Sequence, residues 1–189
     1  SDKDETNEKA IISLIFNHES NTSALKNFNV TLTKWTKVLP LYHQLILSSS
    51  PEDIELHGIE SGSIDILLGI DPNVAKALME IFKAGIEVFT AYLVYKTTMK
   101  EITKIAFKDN QKLLESEKER EKEMLRNIKL VIQDELKKQH NDARQKDNQV
   151  STESINVKIN QISEAVEEHV VKGNELKLIQ VPEKNEEIL

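Results

Sequence analysis

The sequence predicts a predominantly helical α+β fold: a small antiparallel sheet, made of a hairpin plus a C-terminal strand, with a long helical hairpin or coiled-coil extension. Three observations predict it. The glycines and prolines fall at Pro40, Pro51, Gly58, Gly62, Gly69, Pro72, Gly85, Gly173 and Pro182, so the span between Gly85 and Gly173 holds no breaker. That span is rich in Glu, Lys, Leu, Ile and Gln, which favour helix. Ile54–Ile70 and Leu176–Val181 instead carry short apolar, strand-like runs.

Composition sets the frame for these elements. The chain is 39% apolar but only 5% aromatic, against 30% charged. A compact core joined to solvated long helices fits that mix better than a uniform globule. The absence of cysteine excludes disulfides, thiolate metal sites and cysteine nucleophiles, and is compatible with the cytoplasmic location expected here. Ser1–Lys9 is polar and mostly acidic, without the pattern of a secretory signal. The longest apolar stretch, Val88–Tyr95, lies among Lys83, Glu87 and Lys96 and reads as a core helix, since a membrane span needs about 20 apolar residues. Charge is uneven: residues 1–70 hold 5 basic and 10 acidic side chains, 71–150 hold 16 and 14, and 151–189 hold 4 and 8. The acidic ends disfavour general nucleic-acid binding, while the middle keeps a local basic surface.

In chain order, Ala10, Ile11, Leu14 and Ile15 predict a short amphipathic helix over residues 7–17. Leu25, Phe28, Leu32, Trp35, Leu39, Tyr42 and Ile46 then recur at steps of three and four, the spacing of a helix that Thr22 or Ser23 can cap. Pro40 should kink or divide it, and Ser48–Pro51 should end it. In Ile54–Ile70, Ser61-Gly62 suits a hairpin turn. Ile59, Ile64, Ile66 and Leu68 share one face, and a bulge at Gly58 is needed to bring Ile54 and Leu56 onto it. Asp71-Pro72 is a helix start, with a capping carboxylate followed by a residue preset for the first turn. Val74, Leu78, Ile81, Phe82, Gly85, Phe89, Tyr92 and Val94 supply its packing face, Gly85 allows close helix–helix approach, and the helix is expected to reach Leu113.

Glu115–Glu123 is charged at every position but Ser116, which suits a solvated helix or a turn. One rod over residues 72–139, or a rod with a single gentle break, is favoured over a compact bundle; unbroken it would reach roughly 100 Å. His140–Thr152 reads as a turn, followed by a return helix over 153–172 with Gly173 as its C-cap and a third strand ending at Pro182. This divides the chain into an α+β head with hairpin and core helix (1–113), a charged helical extension with the return helix (114–172), and a C-terminal strand and tail (173–189).

The chemistry-bearing motifs are few. No phosphate loop, dinucleotide-binding glycine pattern, His-Glu-x-x-His or Gly-x-Ser-x-Gly elbow is present. No cofactor, metal or small-molecule substrate is implied, and the chain does not read as an enzyme. Glu55, His57 and Asp65 are the one acid–base or metal cluster the hairpin could assemble; the ordinary reading is a solvated strand face. Lys96, Lys100, Lys104, Lys108 and Lys112 recur every fourth residue, which on one helix would wind slowly as a basic stripe able to hold phosphates, anionic lipid or an acidic helix. The ordinary alternative is a solvated face relieved by Glu101 and Asp109. Leu125, Ile128, Ile132 and Leu136, together with Ile155, Ile159, Ile162 and Val166, form narrow apolar seams flanked by charge. They pair with each other, with a second copy of the chain, or with both.

One resemblance adds to this. A helix carrying Trp35, the hairpin Ile59-Glu60-Ser61-Gly62-Ser63-Ile64 and the helix start Asp71-Pro72-Asn73-Val74-Ala75 resemble, in order, small α+β modules of uncharacterised bacterial proteins. Some of those are linked to prophages or phage defence. The resemblance spans about a third of the chain, carries over no catalytic residue, and implies a bacterial setting. The expected function is a non-catalytic interaction, scaffold or accessory sensor protein, a homo-oligomer or partner of another protein. The alternative is a peripheral protein that uses its lysine stripe on nucleic acid or a membrane surface.

Overall fold

The structure, a computed structural model, describes residues 8–17, 22–47, 54–60, 64–143 and 152–183. The expected turns at Ser61-Gly62 and Ser48–Pro51, the side chains of Leu25 and Phe28, the cap at Thr22 or Ser23, and the tail beyond Glu183 lie outside the side chains and segments described. The element order is β1 (Ala10–Phe16), α1 (Thr22–Leu47), β2 (Glu55–Glu60), β3 (Ile64–Ile70), α2 (Pro72–Ala106), α3 (Gln111–Ala143), α4 (Thr152–Val171) and β4 (Glu175–Gln180). The chain is thus mostly helical with a small antiparallel sheet, as its breaker pattern predicts.

The first correction concerns Ala10–Phe16. These residues form a strand, not a helix, and the strand lies inside the sheet, whose order is β2-β3-β1-β4. Its apolar residues satisfy helical spacing and strand alternation equally, so pairing decided the matter. Ala10, Ile12, Leu14 and Phe16 face the helices opposite Ile70, Leu68, Ile66 and Ile64 of β3. Even the outward Ser13 and Ile15 are buried, flanked by Leu67 and Lys177 and by Asp65 and Glu175. An inner strand whose outward Ser13 and Ile15 are also shielded has little reason to alternate polar residues, which hides its period.

The hairpin follows its prediction closely. β2 pairs with β3 through Leu56↔Leu68 and Ile59↔Ile66, and the register shifts between Leu56 and Gly58. The extra residue, His57, is the bulge that places Leu56 on the same face as Ile66 and Leu68.

α1 continues through Pro40 undivided and buries Trp35, Leu39 and Tyr42. α2 starts where expected: the Asp71 carboxylate accepts from the backbone N–H of Asn73 at 2.8 Å and of Val74 at 3.2 Å. α4 ends in a Schellman motif, in which Gly173 (φ 72°) and Asn174 donate backbone N–H bonds to Val170 and His169 carbonyls at 3.0 Å each.

The second correction concerns the rod. α2 stops at Ala106, and Phe107–Asn110 reverses the chain without Gly or Pro. The turn closes with Asn110 N–H donating to the Phe107 carbonyl at 3.0 Å. The Asn110 side chain then caps α3 by accepting from Leu113 N–H at 3.1 Å. α2 and α3 run antiparallel: Gln139 Nε2 donates to the Ala77 carbonyl at 2.9 Å, and the Tyr95 hydroxyl donates to Glu117 at 2.6 Å. At Gly85 the helices approach so closely that a Cβ would stand 3.1 Å from Ile132 Cδ1 and 3.5 Å from Val170 Cγ2. Of the turn expected over His140–Thr152, the first residues are helical instead, since α3 runs to Ala143 and buries His140, which donates from Nδ1 to the Leu45 carbonyl at 3.0 Å; residues 144–151 lie outside the described segments.

One hydrophobic core joins β1, β3, β4 and all four helices. Its centre is aromatic: Trp35 stacks on Phe82 at 6.1 Å between ring centroids. The buried Tyr42 hydroxyl, donating to Gln139 Oε1, ties α1 to α3 and through Gln139 to α2.

Candidate interaction surface

The seam residues come together within one chain. Ile128, Ile132 and Leu136 of α3 and Ile159, Ile162 and Val166 of α4 are buried in the common core, with Leu125 and Ile155 packed at its margin. The apolar surface they offered to a second copy is therefore occupied by α2, α4 and their neighbours.

The lysines do not share one helix face. Lys96, Lys100 and Lys104 lie on α2, Lys108 in the reversing turn and Lys112 in the first turn of α3. All five are exposed. Lys96 lies over the Tyr92 ring, 5.8 Å from its centroid, and Lys104 sits at the α2 C-terminus, where the helix dipole favours a cation.

Glu55 and His57 do meet, at 3.2 Å, and Lys9 pairs with the same carboxylate at 3.1 Å. The Lys9 hydrogen bond and charge, with a smaller contribution from His57, hold the Glu55 carboxyl below its ordinary range. Asp65 does not join them. His57 lies against Gly69, and Asp65 is four residues farther along β3, about 13 Å away at the strand rise. Glu55, His57 and Lys9 form an ion-paired strand face, and no group of three metal-ligating side chains occurs among the described residues.

A different histidine is unusual. His169 is 2% exposed and is clasped edge-on by Phe16, Trp35 and Phe82 at 5.0, 5.7 and 5.5 Å. Its Nε2–H donates to the Glu175 carbonyl at 2.8 Å, so Nδ1 carries the lone pair, and among the described residues that atom has no hydrogen-bond partner. Burial pulls its pKa down to about 4, despite the Glu175 carbonyl. It is a neutral core residue that closes the α4–β4 junction.

The surface that stands out is the distal half of the α2–α3 hairpin. No residue between Tyr92 and Ile128 is buried. The two helices leave the body there and extend as an arm of about 20 Å at the helical rise. The arm is not a bland solvated rod: Leu93, Val94, Ile102, Ile105 and Leu113 are 40–75% exposed, Val94 among them although its spacing predicts a place on the packing face of α2. Between its helices runs an open groove of about 540 Å³, lined by Leu93, Lys96, Thr97, Met99, Lys100 and Thr103 of α2 and by Leu114, Glu117, Lys118 and Glu121 of α3. The α2 rim is basic, and the α3 rim carries two carboxylates around one lysine. The sequence pattern singled out the lysines but missed the groove, because Leu114, Glu117 and Glu121 belong to it only once the chain reverses at Phe107–Asn110.

No family model, curated protein or solved structure matches this chain. No described helix is long and apolar enough to cross a membrane.

Proposed function

We propose that the chain is an interaction protein of scaffold or accessory-sensor type, in which a small α+β body holds a two-helix arm outward as a docking element for other protein chains, its own copies included. One observation carries this reading: an arm without a single buried residue exposes five large aliphatic side chains beside a groove with one basic and one mixed, acidic rim. Two helices alone cannot shield all of these side chains, of which only Leu93 lines the groove, and further helices laid against the arm would do so. The bacterial defence or mobile-element setting rests on the resemblance of the Trp35–Ala75 segment alone.

The test compares the native chain with an Ile102→Glu/Ile105→Glu variant in proximity labelling and cross-linking. Neighbours recovered with the native chain and lost with the folded variant support the arm as a docking element. Identical sets from both would remove it. The anion-binding alternative has less support, because Glu101, Asp109 and Glu115 stand among Lys104, Lys108 and Lys112 and balance their charge. Under the docking reading, changing Lys100, Lys104 and Lys108 to Glu leaves no salt-sensitive binding to DNA or anionic vesicles to be lost.

A further inference from the structure

We infer that the occupant of the arm groove is the same groove of a second copy, with the two arms pointing in the same direction. This rests on the docking reading above and specifies its partner. Charge selects both the partner and the orientation. On the α2 rim, Lys96 and Lys100 are exposed and form no ion pair among the described residues. On the α3 rim stand Glu117 and Glu121. Two such faces can meet about a two-fold axis lying in the interface in two ways. An axis across the arms sets α2 upon α2, and the lysines oppose each other. An axis along the arms sets α2 of each copy upon α3 of the other, and lysines meet carboxylates on both sides.

The vertical register agrees with the second arrangement. Within the hairpin, Gly85 lies level with Ile132, and Ala77 with Gln139. The same level rule puts Lys96 beside Glu121 and Lys100 beside Glu117. A two-fold axis along the arms keeps levels unchanged, so Lys100 reaches Glu117 of the partner subunit and Lys96 reaches Glu121 of the partner subunit. Leu93, Thr97, Met99 and Leu114 line the same groove and become the shared seam of a short four-helix assembly, in the manner of a coiled coil with flanking charge pairs.

The contact is small. A face about 20 Å long and two helices wide covers on the order of 800 Å² in total, the size of a weak and reversible contact. Dimerisation is therefore expected in the micromolar range and not as a permanent assembly.

Sedimentation velocity over about 1–500 µM is the primary measurement, spanning the range such a contact implies. The native chain should shift from monomer to dimer. Lys96→Glu/Lys100→Glu and, separately, Glu117→Lys/Glu121→Lys should each weaken dimerisation by about tenfold or more, since like charges then face each other. Mixed together, the two variants are complementary on every side and should form a heterodimer close to native affinity. Circular dichroism confirms that each variant keeps its helix content. Orientation is read separately. The chain has no cysteine, so Lys108→Cys places one thiol at the arm tip. A short bismaleimide should couple two such tips in the same-direction dimer, whereas opposed arms would hold them about 30 Å apart. A chain monomeric throughout overturns self-pairing; the docking reading then stands or falls on its own labelling test. A dimer indifferent to the charge exchange, or one whose tips do not couple, overturns this arrangement while leaving the docking reading intact.

Discussion

His169 shows what a single buried polar atom costs this fold. Its ring fills the space between Phe16, Trp35 and Phe82, yet Nδ1 finds no donor there. Protonation would place a cation among three aromatic rings near Lys172, and burial opposes it more than Glu168 and the Glu175 carbonyl assist it. The sign follows: the unfolded chain takes up a proton near pH 6.5, while the folded chain refuses it until about 4. Stability is unaffected above this window and falls progressively as pH drops through it, by at most about 3 kcal/mol. Urea unfolding at pH 7 and 4.5 should show a smaller acid loss in His169→Gln than in the native chain. An equal loss in both would mean that other groups carry the acid sensitivity. Elsewhere in the core, Tyr42→Phe leaves Gln139 Oε1 without its donor and should cost about 1–2 kcal/mol by denaturant midpoint. Gly85→Leu should cost about 2–3 kcal/mol by overpacking, because even a Cβ there meets Ile132 at 3.1 Å. Gly85→Ala falls near balance, as the tight contact offsets the gain in helix propensity. The Asp71 cap and the Gly85 approach were legible as residues, because a cap and a missing side chain act locally. The role of His169 was not, since nothing near it in sequence announces the three rings.

Among the elements, the α2–α3 reversal has the largest consequence. Two successive helices of 35 and 33 residues could have formed a rod. Four residues, Phe107–Asn110, bend them back instead, with Asn110 supplying the side-chain acceptor that opens α3. Asn110→Ala should lower stability by about 1 kcal/mol and loosen the arm tip first. Hydrogen exchange would register this as faster amides around residues 111–115 with the body unchanged; uniform acceleration would show that the cap supports the whole fold. Asp109-Asn110 is visible in the sequence as a turn-and-cap pair, but a weak one beside the strong helix formers on either side. β1 was missed for a related reason. Ala10, Ile11, Leu14 and Ile15 fit a helix and Ala10, Ile12, Leu14 and Phe16 fit a strand, and seven residues are too few to separate the periods. The bulge at Gly58 was legible because Leu56 could not otherwise share a face with Ile66 and Leu68.

For the molecule as a whole, stability is unevenly distributed. The body packs one aromatic-centred core from β1 to β4, whereas residues 93–127 contribute no buried side chain. Regions with few buried contacts open at low free energy. Amides of residues 93–127 should therefore exchange faster than those of 74–85 and 128–140 in a dilute monomer. They should slow selectively as concentration rises into the range where arms pair. Protection that is uniform and independent of concentration would contradict an arm that needs a mate.

The sequence by itself determined the helical elements after Pro72, the bulged hairpin, the return helix with its Gly173 cap and the final strand. Each of these depends on periodicity, capping or backbone freedom, which act over a few residues. Tertiary structure decided the rest: that Ala10–Phe16 is an inner strand, that the long helix doubles back, and that the seam of Ile128, Ile132 and Leu136 is filled from within. Apolar burial is non-directional, so a seam states that it needs a cover without stating which one, and only the folded arrangement names it.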